Sequence, residues 1–266
     1  MKIHLYTMSL NEAEMLGFFF RHYDPWIDRY VVFDDGSTDG TLDLLARHPL
    51  VEVRRFQRTC ADSFVESARI LHDNFWKESR GQADWVVVTA IDEHLQVPGG
   101  PMRHYLKHCS AQQTTYVPAL GFQMISETFP DPGELLCESR TFGVPSEMMN
   151  KLSVFNPDAI TETNFEPGRH SARPQGRLQM PDRDELLLLH YKQMGFERTY
   201  QRHRFLESGL GSRDFEQGWG HHYSWSRDQL RKSWDECARQ SADVYRRDLE
   251  SSCAPRWWRQ TASELE

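Results

Sequence analysis

No stretch of this 266-residue chain approaches the roughly eighteen consecutive apolar residues of a membrane span. "MLGFFF" is the densest early apolar run, and it is short enough to read as one buried helix face. The opening "MKIHLYTMSLNE" lacks the apolar core and small-residue cleavage site of a secretory leader, so none is expected. The five cysteines are scattered and odd in number, and no CxxC pair exists. That excludes structural zinc and points to a reduced, cytoplasmic protein. Basic charge is also short. With 31 Lys and Arg against 39 Asp and Glu, the formal charge is -8, which argues against a nucleic-acid partner. Internal repeats and low-complexity tracts are absent as well.

What is present is a clear alternation. "KIHLYTM" reads as a strand, and "NEAEMLGFFFRHY" as an amphipathic helix with Asn11 or Ser9 as its N-cap. "RYVVF", "VEVRRF" and "DWVVVTAI" read as strands, separated by the helices "TLDLLARH" and "DSFVESARILHDNFWKES". The first hundred residues therefore read β-α-β-α-β-α-β, which implies an α/β fold with a mostly parallel sheet and helices on both faces. Beyond Gly100, "MRHYLKH" reads as a helix and "TTYVPALGFQMI", "NKLSVF" and "ELLLLHYKQ" as strands. From "FERTYQRHRFLES" onward the chain reads as helical and charged. Residues 1–195 are expected to form the α/β body and 196–266 a helical extension packed on it.

Ligands of such sheets sit beyond the carboxyl ends of the strands, near a reversal of strand order. Three polar segments fall at such ends: "SLNE", "DDGSTDG" and "IDEH". In "YVVFDDGSTDGTLDLL" the glycines permit the turn, and Ser37, Thr38 or Asp39 can cap the next helix. Turn formation does not account for the adjacent acids Asp34 and Asp35. Two neighbouring carboxylates repel unless something is donated or bound to them.

The stretches "LNEAEMLGFFFRHY" and "WIDRYVVFDDGSTDGTLDLL" resemble the start of family 2 glycosyltransferases, in the subgroup that opens with an Asn-Glu pair. The resemblance covers the chain up to Gly100 and fades beyond it. It implies a GT-A type fold and an inverting transferase that moves a sugar from a nucleotide diphosphate donor, with a UDP-sugar favoured, to a glycan or other hydroxyl acceptor. It places Asn11, Glu12, Asp34, Asp35 and Gly36 around the nucleotide, with Asp35 accepting from the base N–H. The family's Asp-x-Asp motif aligns with "AID", so Ala90 stands at the first acid and Asp92 at the second, followed by Glu93 and His94. Asp92 would hold Mn²⁺ or Mg²⁺ at the diphosphate, with help from His170 and His190. On its own, Asp92-Glu93 would read as a polar strand end.

An inverting transfer also needs a base for the acceptor hydroxyl. The family's Glu-Asp pair is missing; Glu166, His170, Asp182 and Asp184 in the loop "TETNFEPGRHSARPQGRLQMPDRD" are the substitutes, and Glu166, in the more site-like stretch, is the expected base with His170 beside it. That loop is long, polar and bounded by apolar strands, so it is expected to fold over the site. Lys192, Arg198, Arg202 and Arg204 could neutralise a diphosphate but read more readily as a solvated charged face, and "GWGHHYSW", whose aromatics could stack on a sugar, reads more readily as a docking segment for the C-terminal helices. A catalytically silent nucleotide- or glycan-binding protein of the same fold is the alternative, supported by Ala90. A nucleotidyltransferase would need a glycine-rich, basic loop after the first strand, and "TMSLNEAEML" has none.

Overall fold

The computed structural model describes residues 1–259. Strands run β1 (Ile3–Ser9), β2 (Arg29–Asp34), β3 (Val51–Arg55), β4 (Trp85–Val88), β5 (Glu93–Gln96) and β6 (Tyr116–Ser126). They continue with β7 (Phe142–Pro145), β8 (Lys151–Phe155), β9 (Ile160–Glu162), β10 (Gln175–Gly176), β11 (Leu187–Met194) and β12 (Ala242–Asp243). The α-helices are α1 (Ala13–Tyr23), α2 (Thr41–Arg47), α3 (Phe64–Asn74), α4 (Met102–Ala111), α5 (Leu136–Ser139), α6 (Phe196–Glu207), α7 (Ser212–Glu216), α8 (Arg227–Gln240) and α9 (Leu249–Ser252). None is long and apolar enough to cross a membrane among the described residues.

The expected α/β architecture is present. β3, β2, β1 and β4 lie side by side and parallel, and β8 joins β4 antiparallel. This arrangement puts β1 and β4 at the centre, which is why both are buried on both faces, β4 as the continuous apolar run Trp85–Val88. β3 is the edge strand, and its Glu52 and Arg54 keep that edge polar. Chain order reverses between β1 and β4, because β2 lies on one side of β1 and β4 on the other. A crevice opens at that point.

Three local expectations change. The third helix does not run on toward Gly81; it ends at Asn74, and a 3-10 turn, Phe75–Ser79, rolls Phe75 and Trp76 into the core. "EHLQ" is not a loose strand end but β5, antiparallel to β11, with His190 opposite Glu93 and Leu189 opposite His94. Neither Ser9 nor Asn11 caps α1; the N-cap position is Glu12, without a side-chain cap.

The segment after Gly195 is mainly helical, yet it returns to the sheet. β12 pairs with β7, and Trp258 packs into the main core. α8 docks through Leu230 and Trp234 against Phe196 and Ile125. α7 is tied down by Asp214, a fully buried carboxylate that accepts from Ser63 Oγ at 2.5 Å, Phe64 N at 2.9 Å and Gly211 N at 2.9 Å. Asp214 thus serves the free N–H groups at the start of α3 from another element. Asp214→Ala removes charge-assisted hydrogen bonds and leaves buried donors unpaired, so denaturant unfolding should show a loss of about 3 kcal/mol.

Candidate active site

The first two strand-to-helix turns are laced together by side chains. Asn11 adopts a left-handed backbone (φ 52), and its Oδ1 accepts from Thr38 N at 2.7 Å. Asn11 N donates to Ser37 Oγ at 2.8 Å, and Glu12 N to Thr41 Oγ1 at 2.7 Å. Asp39 accepts from Ala13 N at 3.1 Å and from Thr41 N at 2.9 Å. The second loop and Thr41 therefore supply acceptors to the start of α1, and Asn11 returns one to the second loop.

This lacing resolves the two adjacent acids. Asp34 turns inward, buried, and accepts from Ser9 Oγ, Ser37 Oγ, Gly36 N and Ser37 N. Its four donors leave it holding the turn, with Gly36 left-handed (φ 92) beside it. Asp35 turns outward to Arg58, whose Nη2 lies 2.8 Å from it. Of the expected nucleotide residues, Glu12 and Asp35 line the crevice, whereas Asn11, Asp34 and Gly36 shape it from behind.

The crevice encloses about 270 Å³ and gathers Glu12, Asp35 and Asp92 from the three polar strand ends. Lys192, Arg198 and Arg202 face these acids. These cations are not a solvated face. Arg198 and Arg202 lie four residues apart on α6 and so share one side. Arg202 binds Glu12 and the Asn11 carbonyl, and Arg198 Nε donates to Glu14 at 2.7 Å. Arg204 points elsewhere and pairs with Glu207. Burial pushes the Glu12 carboxyl up to about 7, with Arg202 opposing that shift.

Asp92 meets His190, whose Nε2 is 3.4 Å from the carboxylate. The far side of that imidazole is determined. Gln123 Nε2 donates to the carbonyls of Met124 and His190, so its Oε1 faces His190 Nδ1 at 2.8 Å and must accept from it. Nε2 then faces the carboxylate, an arrangement that needs either a proton on that nitrogen or a cation between the two groups. Burial alone would raise the Asp92 carboxyl, but His190 and Lys192 hold it well below the usual range. The expected trio of Asp92, His170 and His190 does not assemble; among the described residues no three His, Cys, Asp or Glu side chains converge as a metal-holding group. His170 instead uses Nδ1 to donate to the Met148 carbonyl, and burial and Lys151 lower it to about 4. The residues present still suit a divalent ion as a two-donor platform, since Mn²⁺ and Mg²⁺ take their remaining ligands from phosphate and water.

Glu166 does not line the crevice. It pairs with Arg173 at 3.0 Å and borders a separate surface depression with Glu66 and Arg69. The loop does reach the site, through Arg169, which neither its composition nor its spacing distinguished from its neighbours. Arg169 is buried against Glu93, which also takes Lys151 Nζ at 2.7 Å.

Past the wall formed by Met149, Lys151, His190 and Tyr223, the crevice opens into a recess of about 690 Å³. Its far side is the Gly218–Trp225 stretch, so these aromatics form a cavity wall rather than only docking helices. Lys192 Nζ donates to Tyr223 Oη at 2.9 Å and sits 4.3 Å above that ring. Burial, then Lys192, lowers His203 to about 3 and His222 to about 2, so both stay neutral.

No protein-family model matches the chain, and no curated protein matches it. Among solved structures it is similar to a mycobacterial protein at 16% identity over 62% of this chain and 56% of that one, with a TM-score of 0.35. It is similar to glucosyl-3-phosphoglycerate synthase from Mycobacterium tuberculosis, solved with Mn²⁺, UDP and glucosyl-3-phosphoglycerate, at 17% identity over 64% and 62% of the two chains (TM-score 0.35). It is also similar to 4-diphosphocytidyl-2C-methyl-D-erythritol synthase from Anaerococcus prevotii, at 10% identity over 59% and 71% (TM-score 0.28). The first two matches span less than two thirds of the matched proteins' own length. Likenesses at this level carry no functional argument, which rests on the geometry above.

The raised Glu12 carboxyl gives a pH signature. The folded protein holds this proton more tightly than the unfolded chain, so the associated stability is complete below the ordinary glutamate value of 4.5 and is lost as pH rises through about 7. Wild-type stability measured relative to Glu12→Gln should fall across that window; a flat difference would show that Arg202 cancels the burial cost.

Proposed function

We propose that this protein is a glycosyltransferase that takes a nucleotide diphosphate sugar, with a uridine nucleotide favoured, and transfers the sugar with inversion to an acceptor hydroxyl. One observation carries the reading: Glu12, Asp35 and Asp92, from three separate strand ends, share a crevice with Lys192, Arg198 and Arg202. Carboxylates accept from base N–H groups and ribose hydroxyls, while ammonium and guanidinium groups neutralise a diphosphate. A crevice holding both, at the point where strand order reverses, suits a nucleoside diphosphate.

The residues divide by role. Asp35 and Glu12 would bind the nucleoside, with Arg58 and Arg202 released or shared as the ligand enters. Asp92 and His190 would hold Mn²⁺ or Mg²⁺, which when bound supplies positive charge to the leaving diphosphate. Lys192, Arg198 and Arg202 add fixed charge around the same oxygens. The recess beyond Tyr223 would take the acceptor. Its aromatic walls suit a sugar ring, and the side chains it shares with the crevice place it next to the proposed donor position. Glu166 could act as base only if its loop turned it away from Arg173 into this recess.

A silent binding protein of the same fold is the second reading, favoured by Ala90 and by the placement of Glu166 outside the crevice. Incubation with UDP-sugar donors alone separates the two: slow release of UDP is expected from a transferase and none from a binder. UDP with Mn²⁺ should raise the melting temperature by mass action. Asp35→Ala should weaken UDP binding at least about tenfold, on the order of 1.4 kcal/mol; unchanged affinity in a folded variant would refute the nucleotide site. Asp92→Asn should abolish the difference between Mn²⁺ and excess chelator, and a wild type fully active in chelator would move the charge stabilisation to the basic residues. Glu166→Gln with unchanged transfer would remove that residue as the base.

A further inference from the structure

Arg169 stands between the two side chains that chemistry would pick from its loop, and it points the other way, into the protein. Its backbone is left-handed (φ 59), directly after Gly168 (φ 68), a costly conformation for a residue with a side chain. The loop before it is pinned to α3: Thr163 Oγ1 and Phe165 N each donate to Asp73 Oδ1 at 2.8 Å. From there the guanidinium passes under the end of β4. Nη1 donates to the Val88 carbonyl at 2.7 Å, and Nη2 binds Glu93.

Val88 and Glu93 bracket the turn that carries Ala90 and Asp92. Glu93 closes this turn by accepting from Ala90 N at 3.0 Å and by donating its own N–H to the Ala90 carbonyl at 3.1 Å. Arg169 therefore grips the turn at both ends. The three charged side chains involved are only 3–6% exposed, and two cations face one carboxylate. Burying one more cation than anion is a poor way to stabilise a core. Lys151, which supplies the surplus, lines the crevice.

We propose that Arg169 is a positioning residue for Asp92: it fixes the Thr89–Glu93 turn so that Asp92 and His190 keep the separation a divalent ion needs, and it couples the 161–184 loop to occupancy of the crevice. This rests on the nucleotide and cation site proposed above. A residue serving only the core would instead lower stability without distinguishing bound states.

The test measures UDP affinity by calorimetry, with Mn²⁺ and with excess chelator, for wild type and Arg169→Lys. Lysine retains the charge but cannot bridge two acceptors as the planar fork does. The Mn²⁺-supported gain in affinity should drop about tenfold or more, as for other groups that orient metal ligands, while affinity in chelator stays within about twofold. Parallel losses in both conditions, or no loss in either, would overturn the proposal. If the variant does not fold, hydrogen exchange of wild type decides. UDP with Mn²⁺ should slow exchange at Gly168–Ser171, and unchanged exchange there would overturn the coupling. Wild type that binds no UDP at all refutes the nucleotide site itself, and the proposal with it; wild type that binds while the variant behaves identically refutes only the role of Arg169.

Discussion

A carboxylate buried at the tip of the sheet organises this molecule. Glu93 is closed off from water, and burial alone would drive its carboxyl upward, yet Arg169 and Lys151 hold it far below the usual range. Satisfying that one group requires the end of β4, the start of β8 and the loop that follows β9 to meet at one place. A carboxylate buried this deeply and left without both cations would cost several kcal/mol. The elements around the crevice are therefore not free to drift independently.

The same economy appears at the neighbouring tips. Asp34 spends its lone pairs on two loops, and Asp214 spends its own on α3 and α7. These inward acids make the scaffold, and the outward ones line the crevice. Asp35, Glu12 and Asp92 each keep a carboxylate at the crevice, and each is paired with a side chain from another element. These existing ion pairs pre-organise the crevice, and any group entering it would have to replace them.

The C-terminal segment supplies more than cover. α6 brings Arg198 and Arg202 over the turn after β1, and the stretch before α8 builds the aromatic wall. The tail then returns under the sheet, where Asn150 donates to the Cys253 and Pro255 carbonyls and Trp257 Nε1 donates to the Asn150 carbonyl. Asn150 directly precedes Lys151. The wall of the crevice is thus braced from the opposite end of the chain.

Sequence alone was enough for the parallel half of the sheet, because short β-branched runs alternating with helical stripes have few other packings. It also located the three polar strand ends, since a ligand edge follows from topology. It did not distinguish inward from outward acids: the pleat sends adjacent Asp34 and Asp35 to opposite sides, but only the lacing of two loops decides which of them is buried. It missed β5, because "EHLQ" is too short and polar to read as a strand until β11 pairs with it, and that pairing is what places His190 near Asp92. It picked Glu166 and His170 by residue type, whereas a left-handed backbone at Gly168 and Arg169 turns Arg169 inward instead. Lys192, Arg198 and Arg202 looked solvated for a similar reason. Their partners Glu12, Glu14 and Asp92 lie about a hundred residues or more away in the chain, and long-range ion pairing leaves no periodic trace in sequence. Local propensity and period determined the elements; which charges meet was decided only when the chain closed on itself.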